Sequence, residues 1–212
     1  MDVANPMKSV IPSAQGEVLA VLARTTSSLT GRQVAGLTEG RVSQKRVSDI
    51  LNTLTRAGIV TRQAAGSSYL HTLNREHLVA GAVVELASIR ERLIGRIVDE
   101  VAAWRPPADG VWLFGSVARG DGGVDSDVDV LVIRADDVET DDSQWVVQLD
   151  CLSQAVGRWT GNDCRIVEYS AAVITRLIED EDPLVRSIRS EGIRIASHRS
   201  LLAASRSDRN RT

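Results

Sequence analysis

The chain has 212 residues, a formal net charge of −3 and 43% hydrophobic residues, which suits one large domain or two small ones. No apolar run approaches the ~18 residues that a membrane-spanning helix needs, and the first residues lack the basic and apolar regions of a secretory signal. We therefore expect a cytoplasmic protein. The two cysteines and three scattered histidines lack metal-type spacing, which argues against a zinc site.

The charge is unevenly distributed along the chain. Residues 1–75 contain nine Lys or Arg and four Asp or Glu, a local charge of +5. The remaining residues contain 16 basic and 24 acidic side chains, a local charge of −8. This asymmetry predicts two domains with different partners.

The first part of the chain is predicted to contain three helices followed by a β-hairpin. The first helix covers residues 15–23, the second is capped by Thr30, and the third is capped by Ser43. The apolar residues of the third helix fall at helical spacing: Val47, Ile50, Leu51 and Leu54. Gly58 ends that helix, and two strand-like runs follow at residues 59–63 and 68–73.

This order, together with the run from Val47 to Val60, resembles a winged helix-turn-helix of the MarR-like and ArsR-like regulators. The resemblance implies a DNA-binding domain at residues 1–75 whose third helix enters the major groove of double-stranded DNA. Candidate DNA contacts are Ser43, Gln44, Lys45 and Arg46 at the start of that helix and Arg62 in the wing. A winged helix that serves protein contact or dimerisation is the alternative.

Residues 76–105 are predicted to form a helical linker. Their apolar stripe consists of Leu86, Ile89, Leu93, Ile97 and Val101. The stripe fits packing between domains and equally fits a homodimer, because both bury the same kind of surface. Pro106 and Pro107 end the linker.

The second part of the chain begins with a short apolar run, Val111 to Phe114, that predicts a buried strand ending at Gly115. Ser116 then opens a short helix, and this arrangement of strand, Gly-Ser turn and helix start favours an anion such as phosphate. After ten residues, 117–126, the chain returns as a strand in which Asp127 and Asp129 alternate with aliphatic residues.

The two aspartates are predicted to share one face of their strand, about 7 Å apart along it. Two carboxylates on one face repel each other unless a cation lies between them. Carboxylate oxygens beside a triphosphate indicate Mg²⁺ or Mn²⁺. Two such ions can stabilise the attacking and leaving oxygens of an in-line displacement.

Phe114-Gly115-Ser116 and Asp127-Val128-Asp129-Val130 resemble the motif of the nucleotidyltransferase superfamily, which includes DNA polymerase β and the minimal nucleotidyltransferases. The resemblance implies an α/β domain at residues 106–198 with a small mixed sheet backed by helices. It implies nucleotide binding by Gly115 and Ser116, with metal held by Asp127 and Asp129. Arg119 falls where minimal members carry a basic residue that touches the triphosphate.

The family's third carboxylate is not in its expected place, because Arg165 falls at that position. Asp163 and Glu168 are the nearby acids, and they lie on opposite faces of a regular strand. We favour Glu168 as the third catalytic residue, because a charge inside an apolar strand needs a partner. Residues 199–212 are polar and basic and are predicted to be a disordered tail.

Together the resemblances imply an α+β protein with two domains, a winged helix-turn-helix followed by a nucleotidyltransferase domain. The implied function is a DNA-binding enzyme that transfers a nucleoside monophosphate from an NTP to a hydroxyl. Two alternatives stay open. The first is a transcription regulator that senses nucleotide without turnover, and the second is a toxin-type transferase that modifies transfer RNA or protein.

Overall fold

The computed structural model describes residues 1–197, and it divides the chain into two compact units. The first unit is Asn5–Arg90, and the second unit comprises Met1–Ala4 and the described residues from Glu91 onward. The predicted tail, residues 199–212, lies outside the described residues. Within the described part of the chain, none of the helices combines the length and apolar character needed to cross a bilayer.

The first unit consists of five helices and a small sheet. Its elements are α1 (Pro6–Val10), α2 (Ala14–Ala23), β1 (Leu29–Thr30), α3 (Gly31–Leu37), α4 (Gln44–Arg56), β2 (Val60–Ala65), β3 (Ser68–Leu73) and α5 (Ala80–Ala87). The three strands are antiparallel in the order β1-β3-β2, with β2 and β3 forming a hairpin.

Side-chain caps fix where α3 and α4 begin. Thr30 accepts a hydrogen bond from the Gln33 amide while the Gln33 side chain accepts one from the Thr30 amide, which completes a capping box. Ser43 accepts from the Arg46 amide at the start of α4. The apolar residues predicted for this helix, Val47, Ile50, Leu51 and Leu54, are all buried in the core of the first unit.

The predicted helical linker, residues 76–105, contains two helices. Helix α5 packs Val83 and Ala87 into the core of the first unit. The next helix, α6 (Ile89–Ala102), buries Leu93, Ile97 and Val101 in the second unit. The apolar stripe is therefore divided between two cores, and dimerisation through this stretch stays a prediction.

The second unit is built on a mixed four-stranded sheet. After α6 its elements are β4 (Gly110–Phe114), α7 (Gly115–Arg119), β5 (Val128–Arg134), α8 (Ser143–Thr160), β6 (Cys164–Ser170), α9 (Ala171–Glu179), α10 (Pro183–Glu191) and β7 (Ile193–Ser197). The order of the strands in the sheet is β6-β5-β4-β7. Strands β5 and β6 are parallel, whereas β4 is antiparallel to both β5 and β7.

Alternate residues of the central strand β5 enter two different cores, because successive side chains point to opposite faces. Val128, Val130 and Val132 are fully buried on the face that carries α6 and α8. Leu131 and Ile133 are fully buried on the face that carries α9 and α10. Any charged residue in this sheet is therefore assigned to one face or the other by its position in the strand.

Candidate functional site

Gly115 begins α7 directly after β4 and lies against the carboxylate of Asp129. Its φ of +70° is in the left-handed region, which glycine adopts without steric cost. A Cβ placed on Gly115 would lie 2.3 Å from Asp129 Oδ2. The antiparallel register pairs Phe114 with Asp129, so the sheet itself brings the turn and the carboxylate together. Only glycine fits at this position.

The glycine-rich turn after α7 folds back onto Ser116. The Ser116 carbonyl accepts hydrogen bonds from the amides of Gly120, at 2.9 Å, and Asp121, at 3.1 Å. A Cβ on Gly122 would lie 3.0 Å from Ser116 Oγ, so this turn also comes close to the serine hydroxyl. The sequence-predicted residues Gly115 and Ser116 are thus joined with the turn in one compact arrangement at the end of β4.

Asp127 and Asp129 lie at the start of β5, on the sheet face of Leu131 and Ile133. Both side chains are only partly exposed. Burial, and next the neighbouring Asp127, raise the pKa of Asp129, while Arg165 and Arg119 act in the opposite direction. Two carboxylates held this close in a partly dehydrated position favour a cation between them.

Arg165 supplies a positive charge to this pair. Its Nη2 lies 2.8 Å from Asp127 Oδ2, and the parallel register places Arg165 directly beside Asp129. The arginine side chain is 73% exposed, whereas that of Asp127 is 22% exposed. The sequence places Arg165 where an acid was expected, but only the structure shows which carboxylate it contacts.

Arg119 lies in α7 and faces acidic partners at the surface. Its Nε lies 3.0 Å from Asp121 Oδ2, and its Nη1 lies 3.6 Å from Glu191 Oε2 at the end of α10. Its charge nevertheless acts on Asp129, where it opposes the rise in the pKa of that carboxyl. Arg119 is therefore near the aspartate pair while being held by other carboxylates.

Glu168, predicted as the third acid, lies on the opposite face of the sheet. Its register partner in β5 is Val132, not Asp129. Glu168 Oε1 accepts hydrogen bonds from Arg134 Nε at 2.7 Å and from Trp145 Nε1 at 3.1 Å. The structure does not bring Glu168 to the aspartate pair, because it lies three positions after Arg165 and successive residues of a strand point to opposite faces.

No group of three or more His, Cys, Asp or Glu side chains able to hold a metal occurs among residues 1–197. Asp163, the other predicted alternative, is exposed just before β6, and its carbonyl accepts from the Val128 amide at 2.8 Å. Burial and next Asp129 raise the pKa of the Cys164 thiol to about 12, so that without a bound metal it is protonated at neutral pH.

Asn162 is a buried residue that positions the chain before the aspartate pair. Its Nδ2 donates to the carbonyls of Val124, at 3.0 Å, and Ser126, at 2.9 Å. These bonds fix the segment that leads into Asp127. An asparagine after glycine is a common turn signal, but its long-range partners cannot be seen in the sequence.

The predicted DNA-contacting residues of the first unit are all exposed. Ser43, Gln44, Lys45 and Arg46 lie at the cap and first turn of α4. Gln44 and Arg62 line one cleft, whose other residues are Thr30, Gly31, Arg32, Ser48, Leu51, Asn52, Ser68, Tyr69 and His71. The structure thus brings the start of α4 and the hairpin to the same concave surface.

Residues 94–195 match the family model described as "Nucleotidyltransferase domain", a range that runs from α6 to β7. This match supports a transferase built on the second unit. A solved structure titled "Crystal structure of the toxin-antitoxin with AMP-PNP" is 18% identical over 52% of this chain and 75% of that chain, with a TM-score of 0.33. That similarity is too low to carry an argument. No curated protein matches the chain.

Gly115→Ala is expected to destabilise the second unit and to abolish metal-dependent nucleotide binding, because the new methyl group collides with the Asp129 carboxylate. Gly120→Ala is the matched control, since Gly120 also has a positive φ, +81°, but nothing within 4 Å of its Cβ position. The control should show only the backbone strain, about 1–2 kcal/mol by urea unfolding. Equal losses of stability and of binding in the two variants would contradict the close approach.

Asp129→Asn is expected to raise the melting temperature of chelator-treated protein at pH 7. Because the fold raises the pKa of Asp129, ionising this carboxyl costs stability above its folded pKa. Below the ordinary value of 3.8 both states are protonated, so the advantage of the variant should vanish as the pH falls.

The exposed Asp163→Asn serves as the control for this pH series and should shift the melting temperature little at any pH. A stabilisation by Asp129→Asn that is equal at pH 3.5 and pH 7, or a lower melting temperature at pH 7, would contradict the raised pKa.

Proposed function

We propose that the protein is a DNA-binding nucleotidyltransferase, which binds an NTP with Mg²⁺ or Mn²⁺ and transfers a nucleoside monophosphate to a hydroxyl acceptor. The observation that carries the proposal is the packing of Gly115 against Asp129, with Asp127 on the same sheet face. The family match over residues 94–195 supports the same class of reaction.

The donor atoms around the aspartate pair fit one divalent cation. Asp127 and Asp129 provide carboxylate oxygens, which hard cations such as Mg²⁺ prefer. Burial and next Asp127 raise the pKa of Asp129, and a cation would stabilise its ionised form. The remaining ligand positions of such an ion are suited to phosphate oxygens and water. The glycine at 115 keeps the space beside Asp129 open.

The phosphate groups would be held by Gly115 and Ser116 at the start of α7, with Arg119 reducing the negative charge. In the reaction the acceptor oxygen forms a bond to the α-phosphorus while the bond to the bridging oxygen of the β-phosphate breaks and pyrophosphate leaves. The divalent ion would stabilise the charge that develops on the phosphate oxygens.

The first unit would act as a winged helix-turn-helix that brings the enzyme to double-stranded DNA. Helix α4 would enter the major groove, with Ser43, Gln44, Lys45 and Arg46 near bases and phosphates. Arg62 in the hairpin would approach the backbone beside the same cleft. The local charge of +5 over residues 1–75 supports a polyanionic partner.

A second candidate function is a regulator whose second unit senses a nucleotide without turning it over. The observation that favours it is the ion pair between Arg165 and Asp127, at 2.8 Å, together with the lack of a three-ligand group among residues 1–197. Without a third carboxylate, the site has no evident group to accept the proton of the attacking hydroxyl.

Transfer of label from an α-labelled NTP to an acceptor nucleic acid or protein should require Mg²⁺ or Mn²⁺ and both aspartates. Asp127→Asn and Asp129→Asn are each expected to lower the rate at least about 100-fold, because each removes a metal ligand. Glu168→Gln, with folding checked by circular dichroism, should retain transfer because Glu168 lies on the other sheet face.

Label transfer that survives in a variant carrying both Asp127→Asn and Asp129→Asn would contradict the metal assignment. A loss of transfer in folded Glu168→Gln as large as that of the aspartate variants would restore Glu168 as the third acid. Absence of transfer in the wild type, combined with a nucleotide-dependent change in DNA affinity, would favour the regulator.

DNA affinity is expected to fall steeply with salt, and Lys45→Ala with Arg46→Ala should flatten that dependence. Each lost phosphate contact reduces the magnitude of the negative slope of log K against log salt by roughly 0.9. Arg24→Ala is a suitable control because Arg24 is exposed at the end of α2, outside the start of α4. Binding that is insensitive to salt, or equally affected by the control, would assign the first unit to protein contact.

A further inference from the structure

Arg165 occupies a position where it can compete with a metal ion. The β5–β6 ladder fixes its backbone directly beside Asp129, and its guanidinium crosses to Asp127 at 2.8 Å. A cation held between the two aspartates would coordinate the same Asp127 carboxylate. Arg165 and the metal ion are therefore alternative partners of Asp127.

The contact is of a kind that a metal ion can displace. The Arg165 side chain is 73% exposed, and an ion pair of that exposure contributes little to stability because water and salt screen it. The partner, Asp127, is the less exposed member, so the carboxylate is held in place while the guanidinium can leave. Displacement would cost little and would leave Arg165 on the same face as the aspartates.

A released guanidinium at this position has a natural new partner in the phosphate groups of a nucleotide. Arginine forms charge-assisted and often bidentate hydrogen bonds with phosphate, and it stays protonated at any relevant pH. Arg119 is less suited to this exchange, because Asp121 and Glu191 at the surface already hold it.

We propose that Arg165 is a nucleotide-binding residue that exchanges partners, with Asp127 as its partner before binding and the phosphates of the metal–NTP complex as its partner afterwards. This inference rests on the proposed function. The exchange couples binding of the metal ion to binding of the nucleotide. A divalent ion alone must displace Arg165 from Asp127 without compensation, whereas the metal–NTP complex offers the guanidinium new acceptors. The protein therefore binds free metal weakly and the metal–NTP complex well.

The test measures two affinities in Arg165→Gln. Mn²⁺ alone is titrated by electron paramagnetic resonance, and α,β-methylene analogues of ATP, GTP, CTP and UTP are titrated by calorimetry at saturating Mn²⁺. Affinity for Mn²⁺ alone is expected to rise by up to about fivefold, because a competing cation is removed. Affinity for the preferred analogue is expected to fall by about 10- to 100-fold, because charge-assisted bonds to phosphate are lost.

Arg158→Gln is the matched control. Arg158 is exposed on α8, which packs on the other face of the sheet, so the variant carries the same change of charge. It should alter neither affinity. Arg165→Lys should keep Mn²⁺ binding weak while recovering only part of the analogue affinity, since lysine retains the charge without the bidentate geometry.

The exchange predicts that Arg165→Gln raises the affinity for Mn²⁺ alone and lowers the affinity for the Mn²⁺–analogue complex. If Arg165→Gln changes neither affinity, or lowers both, while the wild type binds the Mn²⁺–analogue complex, the partner exchange is wrong and the proposed function stands. If the wild type binds no analogue in the presence of Mn²⁺, the proposed function fails and this inference fails with it.

Discussion

The close approach of the Gly115 backbone to the Asp129 carboxylate is the constraint on which the candidate site depends. A side chain as small as a methyl group at position 115 would lie 2.3 Å from Asp129 Oδ2. Because Phe114 pairs with Asp129 across the β4–β5 ladder, the turn cannot move away without breaking the centre of the sheet. The absence of a side chain at Gly115 therefore allows the turn after β4 to lie directly against the carboxylate of Asp129.

Both faces of the sheet carry a hydrophobic core, and the aspartate pair lies at one end of the face that packs against α9 and α10. Val128, Val130 and Val132 build the core with α6 and α8, while Asp127 and Asp129 begin the other face. The charged residues follow the same division. Arg165 lies beside the aspartates, whereas Glu168 and its partner Arg134 lie on the opposite side. One acid in β6 thus contributes an internal ion pair and not a ligand of the site.

The candidate site combines two carboxylates, a glycine turn and an arginine, and Arg165 adds positive charge where the family's third acid would add negative charge. Under the proposed function, the site is better equipped to bind a metal–nucleotide complex than to deprotonate an acceptor. The basic first unit suits a polyanionic partner, while the rest of the chain is acidic overall. Binding of nucleotide and of nucleic acid would then be divided between the two units.

The sequence by itself determined the features that arise from neighbouring residues. Caps at Thr30 and Ser43, the glycine turn at 115 and the alternation of Asp127 with aliphatic residues all follow from short-range bonding and periodicity. These features predicted α3, α4 and the strands that lead to Gly115 and carry Asp129, whereas α1, β1 and β7 were not predicted.

Only the tertiary structure decided what depends on register between distant strands. The register of β5 and β6 pairs Asp129 with Arg165 and Val132 with Glu168. A shift of one residue would move every side chain of β6 to the opposite face of the sheet. The predicted linker was likewise divided between two cores by packing that the apolar stripe alone does not specify. Periodicity shows that a face is buried, whereas the partner that buries it is a property of the folded chain.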